Sequence, residues 1–259
     1  MKLNNILAVV RNDTRVIRRV RWRMLEITYF PITTLLIWGM FALHSRQYAL
    51  EAGLIVLVVN MFWSMCQLAQ QQANMLMMED LWTLSIRHIF IAGVTEFEYI
   101  VAKLVSSTTI AVTVMSVMLV LAQAFGAPLF ANLSTVLALV GIALLGSLAM
   151  AVIIAGCVFM FGREYSFLSW SFLHLFIFFS APFFSPTLFP SWLRWITEIM
   201  PFTYVFESAR VIATGGVPAE GALVHALIIA AAYFVFAWPF YWLAFRMARR
   251  TGRLARIAT

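Results

Sequence analysis

Residues 180–216 read SAPFFSPTLFPSWLRWITEIMPFTYVFESARVIATGG. This stretch is apolar enough to enter a membrane, yet too broken and too charged to cross one. Pro182, Pro186, Pro190 and Pro201 each remove a backbone donor and interrupt helix. Arg194, Glu198, Glu207 and Arg210 lie among Trp192, Trp195, Phe202, Tyr204 and Phe206. A charged side chain at mid-bilayer costs roughly 3 kcal/mol on insertion scales, so four oppose burial in lipid by about 12 kcal/mol. A lipid-facing span is excluded. Two short amphipathic helices are expected instead, Ser191–Met200 and Phe202–Thr214, split by Pro201 and ended by Gly215-Gly216. Arg194 with Glu198 and Glu207 with Arg210 have the spacing of helix side-chain pairs. Broken helices at membrane depth are tolerated only against protein or a water-filled cavity, so this segment is expected at the mouth of a transport path.

Working outward, the chain of 259 residues is 63% hydrophobic and 11% charged, with a mean hydropathy of +0.91. That composition defines an integral membrane protein. The formal net charge of +7 reads as a positive-inside signal rather than a nucleic-acid surface. Cys66 and Cys157 each sit in an apolar run and imply neither a disulfide framework nor a metal site. The first long apolar run follows Glu26 and has no small-residue cleavage site after it, so it is expected to stay as a span.

Over Leu3–Val20, a pitch of 100° per residue places Ile6, Val9, Val10, Val16, Ile17 and Val20 on one side. Arg11, Arg15, Arg18 and Arg19 fall on the other. This is the pattern of a helix lying in the membrane surface, or else of a basic topogenic leader. Six spans are expected at about 27–43, 53–69, 104–125, 134–161, 166–183 and 222–245. Residues 1–26 form the cytoplasmic interfacial helix and 71–103 a cytoplasmic coupling loop. Residues 184–216 form external re-entrant helices and 246–259 a basic cytoplasmic tail. The second span runs into a polar stripe, Gln67, Gln70, Gln71, Gln72 and Asn74, marking an exit to water or to a lined cavity. In the loop, Thr95 and Glu98 have capping-box spacing. The 59 residues between Lys103 and Arg163 hold no charge and divide at Phe125-Gly126-Ala127-Pro128. Gly141, Gly146, Ser147, Ala151, Ala155 and Gly156 would let the fourth span pack closely. Fifteen basic residues fall on the side of the termini and the long loop against three on the other, which places both termini in the cytoplasm. The fold class is therefore all-α, an integral membrane protein with a broken re-entrant helix pair between spans five and six.

Catalytic chemistry is not expected. Lys2 and Lys103 are the only lysines and neither follows a Gly-rich loop, so there is no phosphate-binding loop of the Walker type. No metal-ligand spacing occurs. No span carries a mid-membrane charge, as a proton-coupled carrier usually would. His174 and His225 are the titratable groups left in the membrane, either for transport or as helix contacts. Trp170, His174 and Phe178 are candidates to line a path, the alternative being ordinary packing against lipid or helices.

The order of elements resembles the permease subunit of type 2 ABC exporters across nearly the whole chain. Met200-Pro201-Phe202-Thr203-Tyr204 with Arg210 is similar to that family's Asn-Pro-(apolar)-Thr…Arg signature. Pro190-Ser191-Trp192-Leu193 resembles the run upstream of it, and Glu79-Asp80-Leu81-Trp82-Thr83-Leu84 is loosely like the family's loop pattern. Ala102-Lys103 stands where Gly-Lys is common. The resemblance implies a partner, a cytoplasmic ABC ATPase in two copies that carries ATP and Mg. The present chain would bind no cofactor and no nucleic acid. A second copy or a paralogous permease would face it in the inner membrane. The ATPase would dock on the N-terminal helix and on Glu79, Asp80, Trp82, Arg87 and His88. Trp192, Arg194, Trp195, Pro201, Phe202, Glu207 and Arg210 would form the external gate. The expected cargo is a hydrophobic or amphipathic compound, a lipid or a lipid-linked glycan. The alternatives are an ATP-independent carrier or channel, and a membrane enzyme or assembly factor.

Overall fold

The computed structural model describes residues 2–19, 21–45, 50–162, 165 and 167–250. Among them the chain is all-helical, with no strand. The helices are α1 (Leu3–Arg19), α2 (Arg21–Ser45), α3 (Leu50–Trp82), α4 (Ser85–Ile91) and α5 (Glu96–Ala124), then α6 (Leu133–Phe161), α7 (Leu168–Phe179), α8 (Ser191–Ile199), α9 (Thr203–Ala213) and α10 (Ala222–Arg250). Val20, Arg46, Arg163, Glu164, Ser166 and the basic tail beyond Arg250 lie outside the described residues.

Five of the described helical segments are long and apolar enough to cross a membrane: Ile27–His44, Glu51–Trp82, Glu96–Ala124, Leu129–Phe161 and Ala222–Arg250. The centre of the molecule is α3 against α6, each burying 67% of its most apolar stretch, where α2 buries 28% and α10 17%. Small residues set the packing of α6. A Cβ at Gly156 would stand 2.9 Å from the Phe240 ring and 3.4 Å from the Tyr241 Cα, so α10 crosses here on bare backbone. Beside that crossing, Phe159 meets Tyr241 and Phe245 edge to face, and Tyr99 and Tyr241 are fully buried.

Several helices run longer than the expected spans, and two elements, α3 and α7, change the reading. α3 does not end at the polar stripe but runs 33 residues to Trp82. Its apolar face continues past the glutamines through Ala73, Met77, Met78 and Leu81, which are buried against Tyr99, Ile100 and Phe159. The expected loop is thus largely helix: the end of α3, the short α4, and the first turns of α5. The Thr95 capping box forms as read, with the Glu98 N–H donating to the Thr95 hydroxyl and the Thr95 N–H to the Glu98 carboxylate.

The fifth apolar stretch folds as α7, only 12 residues. At 1.5 Å per residue that is about 18 Å, short of the roughly 30 Å of hydrocarbon. The helix stops because Ala181 turns left-handed (φ 49°) and Pro182 supplies no donor. The chain then passes a 3-10 turn, Pro186–Leu188, into α8 and α9. Met200 is extended before Pro201, as a residue preceding proline prefers, and this breaks the pair where expected.

α9 runs alongside the first half of α6. Its leading Phe202 is fully buried against the middle of α6, where a Cβ at Gly146 would lie 3.1 Å from the ring. Its far end lies at the start of α6, where Asn132 Nδ2 donates to the Gly216 carbonyl at 3.4 Å.

Candidate functional site

Three groups of residues follow one another from one end of the bundle to the other. The first is the α8–α9 pair. Arg210, half-buried on α9, donates to the carbonyls of Ala181 (2.5 Å) and Pro182 (3.0 Å). Its cation thus sits at the carboxyl end of α7, where the helix dipole favours positive charge, and it clamps the strained Ala181 turn. Arg194 likewise spends its donors on backbone, with Nε to Phe189 O at 3.0 Å and a terminal nitrogen to Thr187 O at 2.8 Å. Neither direct ion pair expected from spacing, Arg194 with Glu198 or Arg210 with Glu207, forms among the described residues. Carbonyls freed at helix ends and loop turns compete for these guanidinium donors, and they are oriented toward them by the fold. Glu207 is exposed. Trp192 and Trp195 project outward, 69% and 59% exposed, while Pro201 and Phe202 are buried.

The second group lines a cavity of about 310 Å³ between α2, α3 and α7. Its polar wall is Thr34, Ser64, Gln67, Gln71 and Gln72; its apolar wall includes Phe30, Leu68 and Trp170. Pro31, also in the lining, lies inside α2, which starts at Arg21. A proline there denies the Ile27 carbonyl its helix donor. The rest of the polar stripe does other work. Gln70 Nε2 donates to Asn74 Oδ1 (2.7 Å) and to Ser169 O (3.1 Å), and Asn74 Nδ2 to Ala151 O (3.0 Å). These two buried amides tie α3 to α7 and α6. Of the expected path residues, Trp170 lines the cavity. His174 hydrogen-bonds the Trp170 carbonyl through Nδ1 (2.7 Å) and meets Trp63 edge to face. Phe178 packs on Phe179 and Phe189. His225 stacks on Tyr204.

The third group was not visible as a site in the sequence. Lys103 of α5 is fully buried, and its Nζ donates to Asp13 of α1 and Asp80 of α3, both at 2.6 Å. Ser106 donates to the other Asp13 oxygen (2.9 Å), Tyr99 OH to Asp80 Oδ2 (2.9 Å) and Ser85 Oγ to Asp80 Oδ1 (2.8 Å). Burial pushes the Asp13 carboxyl above its ordinary range, against the pull of Lys103 and the Ser106 hydroxyl. Close by, Glu98 serves two helix starts: besides its own capping box, it accepts from the Lys2 backbone N–H and from Asn5 Nδ2 (2.9 Å). The cluster therefore fastens α1, the α3–α4 turn and α5 into one body. One signal was available. Asp13 falls on the apolar arc of α1 beside Val9, and an acid there calls for a buried partner.

This corrects the placement of Asp80, which sequence reading put on a docking face: it is buried and ion-paired. Glu79 is half-buried beside it. The exposed residues of the region include Trp82 (52%), Thr83, Leu84, Arg87, His88 and Ile91 (82%). α1 presents the faces expected of it, with Ile6 and Val9 buried and Arg11, Arg15, Arg18 and Arg19 exposed. Among the described residues no group of acids, cysteines and histidines could hold a metal ion.

Residues 52–246, three quarters of the chain, match the family model described as ABC-2 family transporter protein. No curated protein matches the chain.

Proposed function

Since the chain belongs to the ABC-2 transporter family, and is thereby a membrane component of an ABC transporter, we propose that it is the permease subunit of an ATP-driven exporter. The observation that carries this reading is the Lys103 cluster. An exposed apolar ridge, Trp82 and Leu84, lies within four residues of Asp80, which is locked to α5 and α1, and exposed Ile91 ends α4. Force applied to that ridge by a separate cytoplasmic ATPase passes into two membrane helices and the interfacial helix together. Exposed apolar side chains in the same short segment as exposed Arg87 and His88 suit protein docking.

In this reading α7 and the residues after it complete a sixth crossing, both termini are cytoplasmic, and α8–α9 enter from outside to the level of Gly146. Two copies, or this chain and a paralogue, enclose the path, and two ATPase subunits drive it. The cavity between α2, α3 and α7 receives cargo in the inner half of the membrane. The Arg210 clamp couples α7 to α9, so that movement of α7 opens the external pair. The cargo is an amphipathic compound, lipid or lipid-linked glycan.

The test is reconstitution of the chain with its copurifying ATPase in liposomes. ATP-dependent export is expected, and Trp82→Asp should reduce ATPase association and export at least tenfold. Export by the purified chain alone without nucleotide, or unchanged coupling in Trp82→Asp, overturns the reading.

A further inference from the structure

The basic end of α10 forms a cavity away from the proposed path. The 29 residues of α10 measure about 43 Å at 1.5 Å each, against roughly 30 Å of hydrocarbon. Its ends therefore stand at headgroup level. With only 17% of its most apolar stretch buried, the helix faces lipid along its length. Trp238, Trp242, Arg246 and Arg250 recur every four residues, with Arg249 three after Arg246, so rings and charges share one face.

On that face a cavity of about 460 Å³ is lined by Glu96, Trp242, Phe245, Arg246, Arg249 and Arg250. A second, of about 350 Å³, lies deeper along α10, between Phe97, Trp238, Pro239 and Trp242. Trp242 borders both, so a charged chamber stands beside an apolar slot. None of these residues borders the cavity between α2, α3 and α7. The three arginines and Trp242 are exposed, within reach of a molecule in the bilayer. Among the described residues none of the three arginines makes an ion pair. Arg246 Cζ lies 5.1 Å from the Trp242 ring centroid, a cation–π contact that holds the side chain and leaves its N–H donors unspent.

Three guanidinium groups against the Glu96 carboxylate leave an excess of two positive charges in this lining. A guanidinium fork matches the paired oxygens of a phosphate. A free anion would use the basic chamber and leave the aromatic slot idle. An amphiphile uses both, with its phosphate at the arginines and its chain against Trp238 and Phe97, whose rings meet at 5.9 Å. From Arg249 to Trp238 the helix descends about 16 Å, from headgroup to acyl depth.

We propose that this flank of α10, with the start of α5, binds one anionic phospholipid, its phosphodiester on the arginines and an acyl chain in the aromatic slot. Such a site needs only that α10 crosses the bilayer, whatever the chain transports. The test uses the full chain in phosphatidylcholine nanodiscs with a trace of phosphatidylglycerol carrying a diazirine in its acyl chain. Saturable labelling is expected within 96–97 and 238–250, mapped by mass spectrometry. Unlabelled phosphatidylglycerol, raised in mole fraction, should compete at least tenfold better than zwitterionic phosphatidylethanolamine. R246Q/R249Q/R250Q should weaken labelling at least tenfold. W242L keeps every charge and should weaken it at least threefold. Glu96→Gln removes the opposing carboxylate and should strengthen it at least twofold. Labelling unchanged in W242L, or equal competition by phosphatidylethanolamine, reduces the site to general surface charge and overturns the proposal. Displacement by millimolar inorganic phosphate at constant ionic strength makes it a free-anion site and overturns it as well. Weaker labelling in Glu96→Gln does the same, since the carboxylate would then be a partner of the headgroup. The competition series on the unmodified chain decides the matter even where a variant fails to fold.

Discussion

Lys103 is where three helices meet, and its removal leaves two carboxylates facing each other out of water. Breaking a buried pair in this way costs about 3–5 kcal/mol. Lys103→Met is therefore expected to lower the melting temperature in nanodiscs and to raise hydrogen exchange in α1, the cluster's most peripheral member. Asp13 makes the cluster sensitive to pH. Its folded-state carboxyl lies above the ordinary 3.8, so the folded chain holds that proton more tightly than the unfolded chain. The stability Asp13 contributes is thus largest toward pH 3.8 and falls as pH rises through the raised value. Wild type should gain on Asp13→Asn as the pH is lowered from neutral, measured by paired thermal melts. A flat difference counts against this. Ala181 stores strain of a different kind, a left-handed backbone that only glycine adopts freely. Ala181→Gly should raise stability by about 1 kcal/mol while leaving Arg210 its carbonyl acceptors.

Among the elements, α9 depends on one cation. Each hydrogen bond from a charged donor contributes about 1.5–3 kcal/mol, and Arg210 makes two to the end of α7. Arg210→Ala should free residues 180–190, seen as faster hydrogen exchange there, and export should fall with it. Exchange unchanged in that segment would remove the clamp from the account. The α6–α10 crossing depends on the absence of a side chain. Gly156→Val places atoms into Phe240 and the Tyr241 backbone, an overpacking expected to cost about 1–3 kcal/mol. The lengths of α3 and α7 show where element reading from sequence loses precision. Glutamines look like an exit to water when read along the chain. In the fold, Gln70 and Asn74 are satisfied by the Ser169 and Ala151 carbonyls, so the helix continues. The aromatics before Pro182 look like a full span until Ala181 turns the backbone.

For the whole molecule, the proposed sidedness has a direct check. A cysteine at Ser191 should react with a membrane-impermeant maleimide on intact cells, and one at Thr83 only after permeabilisation. The two native cysteines interfere little, since Cys66 is buried and Cys157 half-buried. The reverse pattern would invert the orientation. The sequence by itself determined the membrane class, the helix start at Thr95, the break at Pro201, and the bias of basic residues. Each of these follows from local composition, proline placement and 3.6-residue periodicity, and needs no knowledge of neighbours. It also carried the family resemblance that the ABC-2 match bears out. Only the tertiary structure decided which polar groups meet. Asp13 and Lys103 are 90 residues apart in the chain, and Gln70 and Ser169 are 99 apart. Nothing in their local sequence encodes those separations. A buried charge or amide must find its partner wherever packing delivers one, and that choice belongs to the fold.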